Sequence, residues 1–171
     1  WSGYGRQKKF AESKCKNEWV LNLDADEVLT PQLRDEIKAL LNSTPKLDAY
    51  GFNLILCHRF QKHRHFLAPR TFCIRLYNCT KYNFSISAVH DSVVVSKGQY
   101  GKLREYAWHY SFLNYQHSLE KINFYSSLQA KELLQRKGRP SMVRIIIEPM
   151  WSFIKAYFLK RYFIFGWDGI I

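Results

Sequence analysis

No apolar run in this chain approaches the roughly 20 residues that a membrane-spanning helix needs. No initiator methionine or apolar signal region opens it; the first residues are Trp1-Ser-Gly-Tyr-Gly5. A spanning segment and a visible signal peptide are set aside, and the opening reads as that of a fragment. Cysteine is sparse. Cys15, Cys57, Cys73 and Cys79 form no C-x-x-C pair and no regular framework, which argues against a disulfide scaffold and for a reduced, cytosolic setting. Without a secretory signal, the triplets at Asn42, Asn78 and Asn83 carry little weight as glycan acceptors.

Acidic residues are the other shortage. Only 14 Asp and Glu stand against 26 Lys and Arg, a formal charge of +12. Such an excess favours anionic partners, whether nucleotides, phosphorylated glycans, nucleic acid or acidic lipid, without choosing among them. The 171 residues, 47% of them hydrophobic, are enough to bury a single core.

Against that background an acidic cluster stands out. Trp19-Val20-Leu21 with Leu23 reads as a short buried strand that ends in Asp24, Asp26 and Glu27. In an extended chain Asp24 and Asp26 would share a face, with Ala25 pointing back, forming an oxygen claw for Mg²⁺ or Mn²⁺. Thr30 and Pro31 then mark a helix start, with Leu33, Ile37, Leu40 and Leu41 as its apolar stripe and a breaker at 42–45. The cluster therefore sits at the carboxyl end of a strand, where α/β sheets place ligands. Before it, residues 6–17 read as a short helix with Phe10, Ala11 and Cys15 inward. The preceding Gly3 and Gly5 form either an ordinary turn or a phosphate-receiving loop.

Further along, 48–57 and 71–78 read as strands, and 81–95 as one or two more. Residues 58–70 hold His58, His63 and His65 among basic residues, but no carboxylate or Cys completes a zinc set, and a solvated basic loop is the simpler reading. His90-Asp91 offers an imidazole beside a carboxylate, either a general base or a turn residue. His109, between Trp108 and Tyr110, reads first as a packed core residue. Residues 114–137 form a long helical pattern closed by Gly138 and Pro140. The composition then shifts: 141–171 interleave aromatic and aliphatic residues with Arg144, Lys155, Lys160 and Arg161. This suggests an amphipathic element in a membrane interface, or equally a core or oligomer helix, with Pro149 expected to kink or divide it.

Taken together, Gly3-Tyr-Gly-Arg-Gln-Lys8, Glu18 to Glu27 with Leu29-Thr-Pro31, Arg75-Leu76, Val89-His-Asp91 and His109-Tyr-Ser111 resemble the family 2 glycosyltransferases, in particular their bacterial lipopolysaccharide-core branch. The likeness runs over roughly residues 1–140. It implies an α/β, glycosyltransferase-A fold, a mixed sheet flanked by helices. Residues 1–138 would be the back portion of the catalytic domain, its nucleotide-binding N-terminal part missing, and 139–171 a helical aromatic and basic extension. It implies sugar transfer from a nucleotide-sugar to a glycan or glycolipid, with inversion and with Mg²⁺ or Mn²⁺. Asp24 and Asp26 would be the D-x-D pair, Gly5 and Lys8 donor contacts, His109 a further metal contact and Asp91 the base. The expected setting is cytoplasmic, with peripheral contact on the inner face of the cytoplasmic membrane and no nucleic acid. A nucleotidyltransferase, or a basic module binding nucleic acid or membrane without catalysis, remains the alternative.

Overall fold

The computed structural model describes residues 4–57, 67–85, 92–111, 115–137 and 141–170. The chain divides into two compact units, Trp1–Ile55 with Arg70–His109, and Leu56–Pro69 with Tyr110–Ile171.

The first unit is a mixed, curled five-stranded sheet flanked by helices, the α/β architecture the sequence predicts. In chain order its elements are α1 (Tyr4–Glu12), β1 (Trp19–Leu21), β2 (Glu27–Leu29), α2 (Pro31–Asn42), β3 (Ala49–Leu56), β4 (Arg70–Asn78) and β5 (Gly101–His109). The strand order is β1-β4-β3-β5-β2, so the consecutive strands β1 and β2 occupy opposite edges. The acidic segment is the link between those edges.

Strand β3 is buried on both faces, as a central strand should be. Tyr50, Phe52 and Leu54 face Leu33 and Ile37 of α2 together with Leu76, Leu103 and Ala107. Ala49 packs on the other side with Tyr77, Phe84 and Val93. Gly51 lies where the β3–β4 register shifts. A methyl there would stand 2.4 Å from the Phe72 ring and 2.8 Å from the Cys73 carbonyl oxygen, so only glycine lets the strands close.

Helix α2 begins as its signals predict: the Thr30 hydroxyl accepts from Leu33 N at 3.2 Å and donates to the Tyr106 carbonyl at 2.7 Å. One side chain thus caps the helix and ties it to β5. Glu36 accepts from the amides of Arg104 and Glu105, both at 3.0 Å. It covers a stretch of β5 that the short β2, paired with Ala107–His109, does not reach.

Three local expectations change. Strand β5 was not foreseen, because Lys102, Arg104 and Glu105 break the apolar pattern that marks a strand. Within 81–95 the described residues hold only an isolated bridge, Phe84 to Val93, in place of strands. Helix α1 spans Tyr4–Glu12 instead of 6–17 and turns its other face inward: Phe10 is 65% exposed and Ala11 exposed, Cys15 lies exposed beyond its end, and Gly5, Lys8 and Glu12 are at least partly buried. Polar partners decide this, since Glu12 accepts the Tyr77 hydroxyl and Lys8 reaches the acidic segment.

The second unit contains α3 (Tyr115–Lys137), α4 (Met142–Ile154), a π-helical turn (Lys155–Leu159) and a 3₁₀ segment (Tyr162–Gly169). Pro149 lies within α4 without dividing it. Tyr115, Leu119 and Ile122 of the expected α3 packing stripe are exposed. Among the described residues no helix is long and apolar enough to cross a membrane.

Candidate active site

After Leu21 the strand ends, and the Asn22 amide donates to the Arg75 carbonyl at 2.8 Å. Residues 24–27 then form a turn closed from both sides. Glu27 N donates to the Asp24 carbonyl at 3.0 Å, and Asp24 N donates to Glu27 Oε2 at 3.2 Å. The extended geometry expected for Asp24-Ala25-Asp26 is therefore replaced by a β-turn, and the two aspartates have different partners.

Asp24 meets two cations. Lys8 Nζ, from α1, lies 2.8 Å from its Oδ1, and Arg75 Nη2, from β4, lies 2.7 Å from its Oδ2. The same Arg75 nitrogen also bonds Glu27 Oε1. The Glu27 side chain is 0% exposed and that of Arg75 9%. A carboxylate so placed would cost several kcal/mol without a counter-charge, so Arg75 is what allows an acid at the start of β2. Burial alone would raise the Asp24 carboxyl, but the hydrogen bond from Lys8 and the charge of Arg75 outweigh it and hold the group below its ordinary value. At Glu27 burial prevails over the Arg75 charge, and its pKa rises.

Asp26 faces another way. Pairing of β2 with β5 sets Glu27 opposite His109, and His109 Nε2 stands 3.3 Å from Asp26 Oδ2, both side chains partly exposed. The turn thus gathers Lys8, Asp24, Asp26, Glu27, Arg75 and His109 from α1, three strands and the link between the sheet edges. Gly5 is buried in the first turn of α1, three residues before Lys8. Asp91, with His90, lies outside the described residues, as do Gly3 and the histidines at 58, 63 and 65.

Of the residues at this turn, the Asp26 carboxylate is the hard-oxygen donor type that Mg²⁺ or Mn²⁺ take, and the His109 imidazole beside it is a softer one. Asp26 and His109 offer an accessible oxygen and nitrogen side by side, and Mg²⁺ or Mn²⁺ sites are commonly completed by substrate phosphates instead of a full protein cage. The described residues contain no group of three or more His, Cys, Asp or Glu placed to hold a metal. Two buried polar atoms beside the turn, Arg75 Nε and Asn22 Oδ1, make no hydrogen bond, leaving a donor and an acceptor for water or ligand.

Sequence reasoning passed over the role of Arg75. Its signal was legible: a guanidinium in the run Cys73-Ile74-Arg75-Leu76-Tyr77 has to find an anion inside the sheet.

No family model matches the chain. Its whole length aligns with an uncharacterized glycosyltransferase of Rickettsia bellii (strain RML369-C) at 42% identity over 181 positions, covering 62% of that protein. A second, from Rickettsia felis (strain ATCC VR-1525 / URRWXCal2), is also 42% identical, with 64% covered. The chain is thus similar to bacterial proteins named as glycosyltransferases. At 27% identity, again over the whole chain and 64% of the relative, it is also similar to the lipopolysaccharide core biosynthesis glycosyltransferase LpsC of Rhizobium meliloti (strain 1021). The chain spans 62–64% of the length of those three proteins, and its acidic turn lies inside the shared part.

Proposed function

We propose that the protein carrying this chain transfers a hexose from a nucleotide-sugar to a glycan or glycolipid acceptor, in a metal-dependent, inverting reaction of the family 2 type. The lipopolysaccharide core is the acceptor suggested by the name of the Rhizobium relative. The observation that carries the reading is the convergence of Lys8, Asp24, Asp26, Arg75 and His109 on one turn.

Cleaving a sugar–phosphate bond leaves negative charge on a nucleoside diphosphate, so the site needs cations where that charge develops. Lys8, held at Asp24, is one whose ammonium can turn to a phosphate oxygen. Asp26 and His109 are the residues that would hold Mg²⁺ or Mn²⁺, with Asp24 joining when Lys8 or Arg75 releases one of its oxygens. Once bound, the ion would neutralise charge on the departing diphosphate. Asp91 is the proposed base. It takes the proton of an acceptor hydroxyl as that oxygen bonds to the anomeric carbon; the bond to the diphosphate breaks on the opposite face, its electron pair leaves with the phosphate, and the configuration inverts. A peripheral contact with an anionic membrane belongs to the same reading, because a glycolipid acceptor is presented there.

The test is an assay of the complete protein with a panel of nucleotide-sugars, with and without Mn²⁺. Metal-dependent sugar transfer is expected, falling roughly 100-fold or more in Asp26→Ala. Near wild-type transfer by that variant would refute the assignment. Incorporation of a nucleotide with release of pyrophosphate would assign a nucleotidyltransferase instead.

A further inference from the structure

Helix α4 is amphipathic in sequence yet has no buried residue. Arg144, Glu148, Ser152 and the following Lys155 recur at i, i+4, i+8 and i+11 and so form one polar stripe. The broad opposite face carries Met142, Val143, Ile146, Ile147, Met150 and Phe153, every one exposed. In a helix that completes a core this face would be covered. Arg144 and Glu148 neutralise one another along the stripe at 2.5 Å, leaving Lys155, Lys160 and Arg161 clustered after the helix. Arg161 adopts a left-handed conformation, φ 63°, which begins the 3₁₀ segment. There Tyr157 meets Phe163 ring to ring, while Trp167 is left 81% exposed.

We propose that α4 and the aromatic turns after it dock in the interface of an anionic phospholipid bilayer. Three features select lipid as the occupant. The apolar face is wide and continuous while the charges keep to the opposite stripe, which places the helix axis in the membrane plane with its charges among headgroups. Helix α4 runs on into the π-helical turn Lys155–Leu159, yet no described helix is long and apolar enough to cross a membrane, so it lies in the interface instead of crossing it. The unneutralised charges at its end are cationic and sit among Tyr and Trp rings, the composition that anionic headgroups and the interfacial belt favour.

The experiment measures co-sedimentation of the complete protein with vesicles of phosphatidylcholine alone, or mixed with phosphatidylglycerol, at low and high salt, alongside its mass in solution. Binding to the mixed vesicles is expected to exceed binding to the neutral ones about tenfold or more and to weaken with salt. The pair Ile147→Asp with Met150→Asp should lower it by a similar factor, without moving the thermal unfolding midpoint. Reversing Lys155, Lys160 and Arg161 to Glu should bring binding down to the level on neutral vesicles. Asp26→Ala should bind vesicles as the wild type does, which separates this inference from the catalytic one. Equal binding by the Asp pair, or no preference for anionic vesicles, would overturn it. So would a dimer that the Asp pair dissociates in a protein that ignores vesicles, an outcome assigning the face to a second copy.

Discussion

Arg75 bonds Glu27 although their strands are not neighbours: β4 is second and β2 fifth in the sheet order, with β3 and β5 between them. A single guanidinium nitrogen joins the start of β2 to Asp24, at the far end of the same turn, and so holds together the segment that links the sheet edges.

Removing one member of that buried pair should be costly. Arg75→Met leaves the Glu27 carboxylate without a counter-charge, and a loss of about 3–5 kcal/mol is expected in urea unfolding. Glu27→Met combined with Arg75→Met should recover a large part of it, since two apolar side chains leave no unpaired charge. A double variant no more stable than Arg75→Met would show that the pair is not what supports the turn.

Acid should reveal Asp24. Its carboxyl is held below the ordinary 3.8, so its contribution is fully present above that value and is lost as pH falls through the depressed folded-state value. Glu27, raised above 4.5 by burial, has the opposite sign. Its ionisation weakens the fold as pH rises from about 4.5 through the raised value. The difference in unfolding midpoint between wild type and Asp24→Asn should therefore shrink on acidification below 3.8. A difference that stays constant from neutral pH to pH 3 or below would refute the ion-paired state.

Lys8 separates binding from folding. Lys8→Met should lower sugar transfer and nucleoside diphosphate affinity by roughly tenfold or more, through loss of a charge-assisted phosphate contact. The unfolding free energy should move by about 1 kcal/mol or less, because Asp24 keeps Arg75. Calorimetry with the diphosphate alone, followed by denaturant unfolding, measures both.

His109→Ala tests the neighbour of Asp26. An Mn²⁺ requirement shifted to roughly tenfold higher concentration is expected, at least the cost of disturbing an outer-shell partner. Titration of the Mn²⁺ electron spin resonance signal reads this without turnover, and an unchanged affinity would remove His109 from the site.

Gly51→Ala should destabilise the sheet by about 1–3 kcal/mol. The added methyl meets the Phe72 ring and the backbone oxygen of Cys73, and backbone cannot move aside as a flexible side chain can. Chemical denaturation measures the loss.

Features written in neighbouring residues were legible in the sequence: β1 at Trp19–Leu21, α2 with its Thr30 cap and Pro31, the strands β3 and β4, and the length of α3. Each rests on periodicity or on a cap that reaches no further than one turn, so no distant partner is needed to read it. The acidic cluster was legible too, as a place where carboxylates end an apolar strand. Its shape was not. Asp24 and Arg75 are 51 residues apart and Glu27 and Arg75 are 48 apart, and they meet because of strand order and register, quantities that no local pattern encodes. The same holds for β5, whose charged residues find their place only once Glu36 and β2 stand beside it, and for α1, whose inward face follows Lys8 and Glu12 instead of Phe10. The sequence by itself determined the segments whose local pattern is unambiguous, β1, α2, β3, β4 and α3, and where the carboxylates would cluster. Only the tertiary structure decided which charges neutralise which, because a buried charge is stable only beside a counter-charge that another part of the chain delivers.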